Sequence, residues 1–375
     1  MLELDQVFKD YLPNSEQIVG GVKFRRKLTS GNELPVDTIV TKDLPKLIEQ
    51  FVSDSGRDVK KYRIYGSVGQ INWTLAYIPW VAILRRDITT STERGYYVVL
   101  LFSQDMRNCF LSLNQGFTQY RKAFGDTIGN KKIAQVASLA VQNLQSPADL
   151  IAGRLHLSAT NTLGKGYESG AIVSRRYGVG DEVSSDKFRT DLLQILDLYD
   201  ELIAKLGPNL LDHLESISSD DYQEAANEIA TSEPGRSLPE GGLPPPPKVN
   251  GKQAGKYKRN PEMAAIAIQS ASHKCEIEPG HATFTSRKTK KPFVEAHHLI
   301  PMQCQAEFEV SLDVPENIVA LCPGCHRKFH HAHFGELKPS LIKLFAARNE
   351  ALKARSISIE LKKLNKVYKS DVEED

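Results

Sequence analysis

The sequence predicts an α+β protein of two domains joined by a Pro-rich linker. Three observations predict it. Aromatic and β-branched residues concentrate in strand-like runs before residue 120. A Pro/Gly-rich stretch with little aliphatic content, TSEPGRSLPEGGLPPPPKVNGKQAG, occupies 231–255. Four of the five cysteines and eight of the ten histidines then fall between residues 273 and 333. A chain of 375 residues with 41% apolar and 25% charged residues can bury a core without disulfides. No apolar run reaches the roughly 18 residues of a membrane span, and MLELDQVFKDYLP has neither the basic nor the apolar region of a signal peptide. The expectation is a cytoplasmic protein, in which clustered Cys and His read as metal ligands and not as a disulfide framework.

The elements follow in order. Residues 62–84 mix aromatics and β-branched residues with Gly breaks and read as strands. GYYVVLLF (95–102) reads as a buried strand and CFLSLNQG (109–116) as a further short one. Residues 119–145 are helical in content. In 184–207 a Ser N-cap signal precedes a stripe of Leu192, Leu193, Ile195, Leu196, Leu198, Leu202 and Ile203, and Gly207 fits a C-cap. The first domain is therefore expected over 1–206. A helical, then Pro/Gly-rich linker is expected over 207–255. The four prolines at 244–247 favour a semi-rigid polyproline II spacer. The second domain, 256–375, carries the Cys/His cluster, a polar helical tail over 338–367 and an acidic end expected to be disordered.

Spacing divides the cluster. Cys322-Pro-Gly-Cys325 is a C-x2-C knuckle. With Cys275 and His281 it makes a set of three thiols and one imidazole suited to a structural zinc ion, with Cys304 as the competing fourth ligand. What remains is EAHHLIP (295–301) and NIVALCPGCHRKFHH (317–331). His326 and His330 stand at i and i+4, so one helix face can aim both imidazoles at the same ion.

These two segments resemble the HNH, or ββα-metal, nucleases over about residues 270–335. Within that family they look most like methylation-dependent restriction nucleases of the McrA type. The resemblance implies that His297, His326 and His330 hold a catalytic divalent cation such as Mg2+ or Mn2+. It implies that His298 is the general base that activates water, that Asn317 fixes the loop orienting His298, and that Glu295 helps orient the site. A plain zinc ribbon would account for the four zinc ligands but not for the His-His pair or for the His residues nine and thirteen positions after Asn317. Nine basic residues against three acidic ones between Lys252 and Lys291 suit contact with phosphates.

The first region is similar to the McrB-like N-terminal domain. The matching features are Gly66, Gly69, Asn72-Trp73, Ile78-Pro79-Trp80, Ile88-Thr89-Thr90-Ser91, Gly95-Tyr96-Tyr97, Leu111–Gly116 and GKGYESGAIVSRRYGVG (164–180), with a short insertion between Asn72 and Pro79. That resemblance implies recognition of modified cytosine, and a flipped base needs aromatic walls and a few polar contacts. Trp73, Trp80 and Tyr97 are candidate walls, Asn72 a candidate polar contact and Arg85 a candidate phosphate contact. Adjacent Tyr96 and Tyr97 point to opposite faces of a strand, so only one of them can face a given pocket.

The combined expectation is a mixed α/β DNA-reading domain linked to a zinc-containing HNH nuclease domain, acting as a modification-dependent (type IV) restriction endonuclease in antiviral defence. Its partner would be double-stranded DNA with modified cytosine, such as 5-methylcytosine, and no membrane. Because one such site cuts one strand, a homodimer is expected for double-strand cleavage. Two alternatives are an HNH nuclease specific for unmodified DNA sites, and a DNA-binding protein whose zinc domain is purely structural.

Overall fold

A computed structural model describes residues 4–19, 21–214, 218–232, 238–248 and 257–370. The chain divides into two compact units. The first comprises Met1–Tyr120 and Asn130–Leu214, the second Arg121–Gly129 and Glu215–Asp375.

The first unit opens with α1 (Leu4–Asn14) and a hairpin of β1 (Glu16–Val19) and β2 (Val22–Arg25). The short helix α2 (Pro35–Thr38) leads through a wide turn into α3 (Leu44–Asp54). Its centre is an antiparallel six-stranded sheet. This contains β3 (Tyr62–Ser67), β4 (Trp80–Arg85), β5 (Tyr96–Phe102), β6 (Asn108–Gln115), β7 (Ile151–Ala152) and β8 (Val173–Gly178), in the order β3-β4-β5-β6-β8-β7. Every residue of β5 is buried, which explains why it reads as a continuous apolar run and not as an alternating one. Between β6 and β8 run α4 (Phe117–Asn143), interrupted at Gly125 (φ +71°), and α5 (Thr162–Gly170). The unit closes with α6 (Ser185–Leu206), capped by Ser184, whose side chain accepts from the Lys187 amide, and ended by Gly207 at φ +75°. Gly66 is required by a close approach: a Cβ there would sit 1.8 Å from the carbonyl oxygen of Val40.

The second unit is built on a two-stranded antiparallel ribbon, β9 (Glu295–His298) and β10 (Ile318–Leu321), in which His297 pairs with Val319 and His298 with Ile318. The helix α9 (Pro323–His331) follows β10 directly. One face of the ribbon packs on α7 (Ser219–Ser232) and α8 (Pro261–Ser270) through Tyr222, Ala226, Ile229, Ala264, Ile268, Ala296 and Ile318. The other packs on α9, α10 (Phe334–Ala354) and α11 (Leu361–Val367), with Leu299, Val319, Leu321, Phe329, Leu341 and Leu364 in the core.

The stretch 207–255, expected as a linker, divides differently. The helix α7 is part of the second unit. The Gln223 side chain donates to the Ala296 carbonyl (2.8 Å) and accepts from its amide (2.7 Å), and Asn227 donates to the Val294 carbonyl (2.8 Å). These amides satisfy the outer edge of β9 as a neighbouring strand would. The described part of the Pro-rich segment is not a loose spacer either. The Leu243 carbonyl accepts from the Ser311 amide (2.8 Å), and the Pro247 carbonyl from the Lys258 amide (2.9 Å). Arg355 donates to the carbonyls of Pro239 and Gly241. A leucine that packs and carbonyls that find donors outweigh the intrinsic stiffness read from the prolines. Residues 215–217, 233–237 and 249–255 of the expected linker, and 371–375 of the acidic end, lie outside the described residues.

Candidate functional site

The hairpin β9–β10 and the helix α9 assemble the first cluster. His297 faces α9 from β9, while His326 and His330 lie one turn apart on α9. One ligand atom from each falls within 4.8 Å of the others. His297 Nδ1 and His330 Nε2 are 3.2 Å apart. Two nitrogens about 2.0–2.1 Å from one tetrahedral ion would be roughly 3.3 Å apart, so the three imidazoles fit a single transition-metal ion. Two of the three have a polar neighbour at a further nitrogen. Glu295 Oε2 lies 2.9 Å from His326 Nδ1, and the Tyr368 hydroxyl lies 2.9 Å from His297 Nε2. Glu295 thus stands beside His326. Phe329, buried between the two α9 histidines, packs on His297 with ring centroids 4.9 Å apart.

His298, the next residue along β9, turns to the opposite face of the strand. Its ring stacks on Tyr222 (6.5 Å between centroids, 26°), and its Nε2 lies 3.0 Å from Asp313 Oδ1. Asp313 Oδ2 accepts the Asn260 amide at 2.6 Å, so the carboxylate is fixed from both sides. His298 therefore does not stand with the three-imidazole group but beside it in sequence, 1% exposed. Asn317 is fully buried and clips the segment after His298. Its Oδ1 accepts the Ile300 amide, and its Nδ2 donates to the carbonyls of Ile300 and Leu312, each at 2.9 Å.

The second cluster joins Cys275, His281, Cys322 and Cys325 within 4.8 Å. His281 Nδ1 lies 3.2 Å from Cys325 Sγ and 3.8 Å from Cys322 Sγ. Cys304, packed in the core with Met302 and Leu312, is not part of this group, whereas His281 is. Cys322 is the N-cap of α9 and Cys325 lies in its first turn, where helix amides favour thiolates. Burial alone would raise the Cys275 thiol, but the amides of Cys322 and Glu278 and the His281 side chain bring it down to about 7. Burial and the neighbouring thiols push Cys325 up to about 12. Three thiols this close cannot all ionise without a cation among them, and a donor set of three sulfurs and one imidazole nitrogen suits zinc.

In the first unit, Trp80, Thr92, Tyr97, Val99, Leu101, Asn114 and Tyr167 line a narrow recess with room for about one water molecule. Trp80 is wedged edge-on against Tyr65 (5.3 Å, 79°). The Tyr97 hydroxyl donates to the Thr92 carbonyl (2.8 Å) and Asn114 to the Tyr167 carbonyl (3.0 Å), so these groups are already engaged and the walls are chiefly apolar. Tyr96 points the other way, to Gly207 and Tyr199. Trp73 does not line the pocket. It is 67% exposed on a loop whose turn places Asn72 at φ +68°. Arg85 is engaged within the protein, bridging Asp87 (2.5 Å) and Asp200 (2.6 Å). Sequence reasoning did not single out Tyr167, Asp313 or Tyr368. Tyr167 stands inside a segment that carries the resemblance, and Asp313 lies shortly before Asn317. Tyr368 carried no local signal.

Comparison with known proteins agrees with this geometry. Residues 24–204 match the family model of the MrcB-like N-terminal domain, and residues 281–335 match that of the HNH endonuclease. Over 76 residues the chain is 34% identical to the Type IV methyl-directed restriction enzyme EcoKMcrA of Escherichia coli (strain K12). That match covers 20% of this chain and 25% of the relative. The chain thus spans about a quarter of the length of that curated relative. Among the described residues, no helix is long and apolar enough to cross a membrane.

Proposed function

We propose that the chain, which joins an MrcB-like N-terminal domain to an HNH endonuclease domain, is a modification-dependent DNA endonuclease that restricts foreign DNA carrying modified cytosine. The observation that carries the reading is the trio His297, His326 and His330 on a hairpin and its following helix, with one donor atom of each gathered within 4.8 Å. A divalent cation held there would neutralise charge on the scissile phosphate and the departing 3′ oxygen. Three neutral imidazoles favour a transition metal over Mg2+, which prefers oxygen ligands.

The chain's own residues do the rest. His298 takes the proton from the attacking water, and Asp313 holds its ring and stabilises the imidazolium that results. Asn317 keeps the following loop in register. His298 is 1% exposed, so this role requires that DNA binding uncover it. In the first unit the narrow recess at Trp80, Tyr97 and Tyr167 must widen to stack a flipped, modified base, and its apolar walls suit a small added group such as methyl. One nuclease centre cuts one strand, so a double-strand break requires two chains or two successive nicks. Restriction of incoming DNA would take place in the cytoplasm.

The test is digestion of one plasmid prepared unmodified, 5-methylated and 5-hydroxymethylated, with and without Mn2+ or Co2+. The expected result is cleavage of modified plasmid only, and only with the ion. Equal cutting of unmodified plasmid would remove the modification requirement. Binding without cutting under all conditions would leave a DNA-binding protein with a structural zinc domain.

A further inference from the structure

Tyr368 lies just past the end of α11, far along the chain from the histidines, yet its hydroxyl reaches into the metal cluster. It is 5% exposed and packs edge-on against Phe329 of α9 (5.7 Å, 81°). Its oxygen sits 2.9 Å from His297 Nε2, 3.0 Å from the Leu299 carbonyl oxygen and 3.4 Å from that of His298.

The proton arrangement follows from counting donors. A phenol has one hydrogen, and a carbonyl oxygen can only accept. The Tyr368 proton goes to the nearer carbonyl, that of Leu299. The contact with His297 is then made by a proton on Nε2 of the imidazole, donated to the Tyr368 oxygen. With its proton on Nε2, a neutral His297 presents a lone pair at Nδ1, the atom that lies 3.2 Å from His330 Nε2.

We propose that Tyr368 is a positioning residue for the three-histidine metal centre: it fixes the Nε2–H tautomer and the ring angle of His297, so that Nδ1 is ready to bind a divalent cation. The inference rests on the metal-binding part of the proposed function and not on modification specificity or on cleavage. Glu295 does the corresponding work for His326 from β9 itself. Tyr368 differs in arriving from α11, so a helix expected only as a polar tail completes the site. Partners of this kind raise ligand basicity and hold the ring, and their loss typically weakens metal affinity about 10- to 100-fold.

The experiment uses the full-length, zinc-loaded protein and Co2+ as the probe, followed by its visible absorption and by calorimetry. Nitrogen NMR of the three-histidine site without its ion reports the tautomer. Wild-type protein is expected to show the Nε2–H form at His297. Tyr368→Phe, which keeps the ring and its packing on Phe329, is expected to lose that preference and bind Co2+ roughly 10- to 100-fold more weakly at the three-histidine site. His297→Ala, which removes a ligand, identifies the signal that belongs to this site. A wild-type His297 in the Nδ1–H form overturns the proposal even if the variant does not fold. So does a folded Tyr368→Phe protein with unchanged Co2+ affinity. Because neither readout involves DNA, loss of the nuclease reading would be seen separately, as failure to cut any plasmid with the centre loaded.

Discussion

His298 Nε2 lies 3.0 Å from Asp313 Oδ1, and both side chains are almost wholly removed from solvent. A buried imidazole and carboxylate in this arrangement share one hydrogen bond whose loss strands either partner. His298→Ala is expected to lower the cleavage rate by a factor on the order of 10²–10⁴ while leaving DNA affinity intact. Asp313→Asn, which keeps the shape but favours the opposite tautomer, should fall between this variant and wild type. Single-turnover cleavage with saturating metal checks both. A His298→Ala protein that cuts at the normal rate would remove His298 from the chemistry.

Removal of the ion held by Cys275, His281, Cys322 and Cys325 should unfold the second unit selectively. Structural zinc sites commonly contribute on the order of 10 kcal/mol to the folding of small domains. Calorimetry with a strong chelator is expected to abolish one thermal transition and leave the other, belonging to the sheet of residues 62–178, in place. Cys325→Ser should behave like chelation, and Cys304→Ser should not, since Cys304 is not among the four residues whose donor atoms gather within 4.8 Å.

Gln223 supplies both a donor and an acceptor to the Ala296 backbone. Gln223→Ala leaves two buried peptide groups unpaired, at about 1–3 kcal/mol each, so a loss of about 2 kcal/mol or more is expected in urea unfolding. For the same reason a fragment starting at residue 256 should fail to fold, whereas one starting at residue 218 should fold with zinc. Limited proteolysis of the two fragments would show the difference, and equal resistance would contradict it.

The aromatic positions of the first unit separate by burial. Trp80→Ala removes a pocket wall and should weaken binding of modified DNA by about 1–3 kcal/mol, the usual worth of one base–aromatic stack. Trp73→Ala, at an exposed position, should change stability by no more than about 0.5 kcal/mol. Fluorescence anisotropy on paired modified and unmodified duplexes measures the binding of both variants, and urea unfolding their stability. Unchanged discrimination in Trp80→Ala would exclude the pocket as the reading site.

Arg85 is expected to matter for stability and not for DNA. Its hydrogen bonds hold the Asp87 carboxyl below the ordinary carboxylate range. A depressed folded value means that this stabilisation is complete above about pH 4, the unfolded value, and fades as pH falls through the folded one. Asp87 is more than half exposed, so the effect is small, about 1 kcal/mol or less. Arg85→Ala should be slightly less stable at neutral pH and converge toward wild type near pH 2, with DNA affinity unaltered.

Local spacing made the two Cys/His groups legible. His326 and His330 at i, i+4, the Cys322–Cys325 knuckle and Asn317 ahead of β10 all depend on geometry within one or two elements. The strands of the first unit were legible for the same reason, as was the helix bounded by Ser184 and Gly207. What stayed hidden depends on partners distant in the chain. Arg85 has a carboxylate partner 115 residues away in Asp200, which no local pattern reveals. Gln223 serves a strand 73 residues later, so the helix carrying it reads as an acidic connector. Trp73 lies exposed on a loop, while Tyr97 sits in a strand whose every residue is buried.

The reach of Tyr368 into the histidine trio also bears on timing during synthesis. A polypeptide interrupted at residue 360 already contains every imidazole and thiol discussed above, yet has not made the phenol that orients His297. If the proposed nuclease and positioning roles hold, translation must pass α11 before the centre is complete, and incompletely synthesised molecules would cut less than their set of histidines suggests.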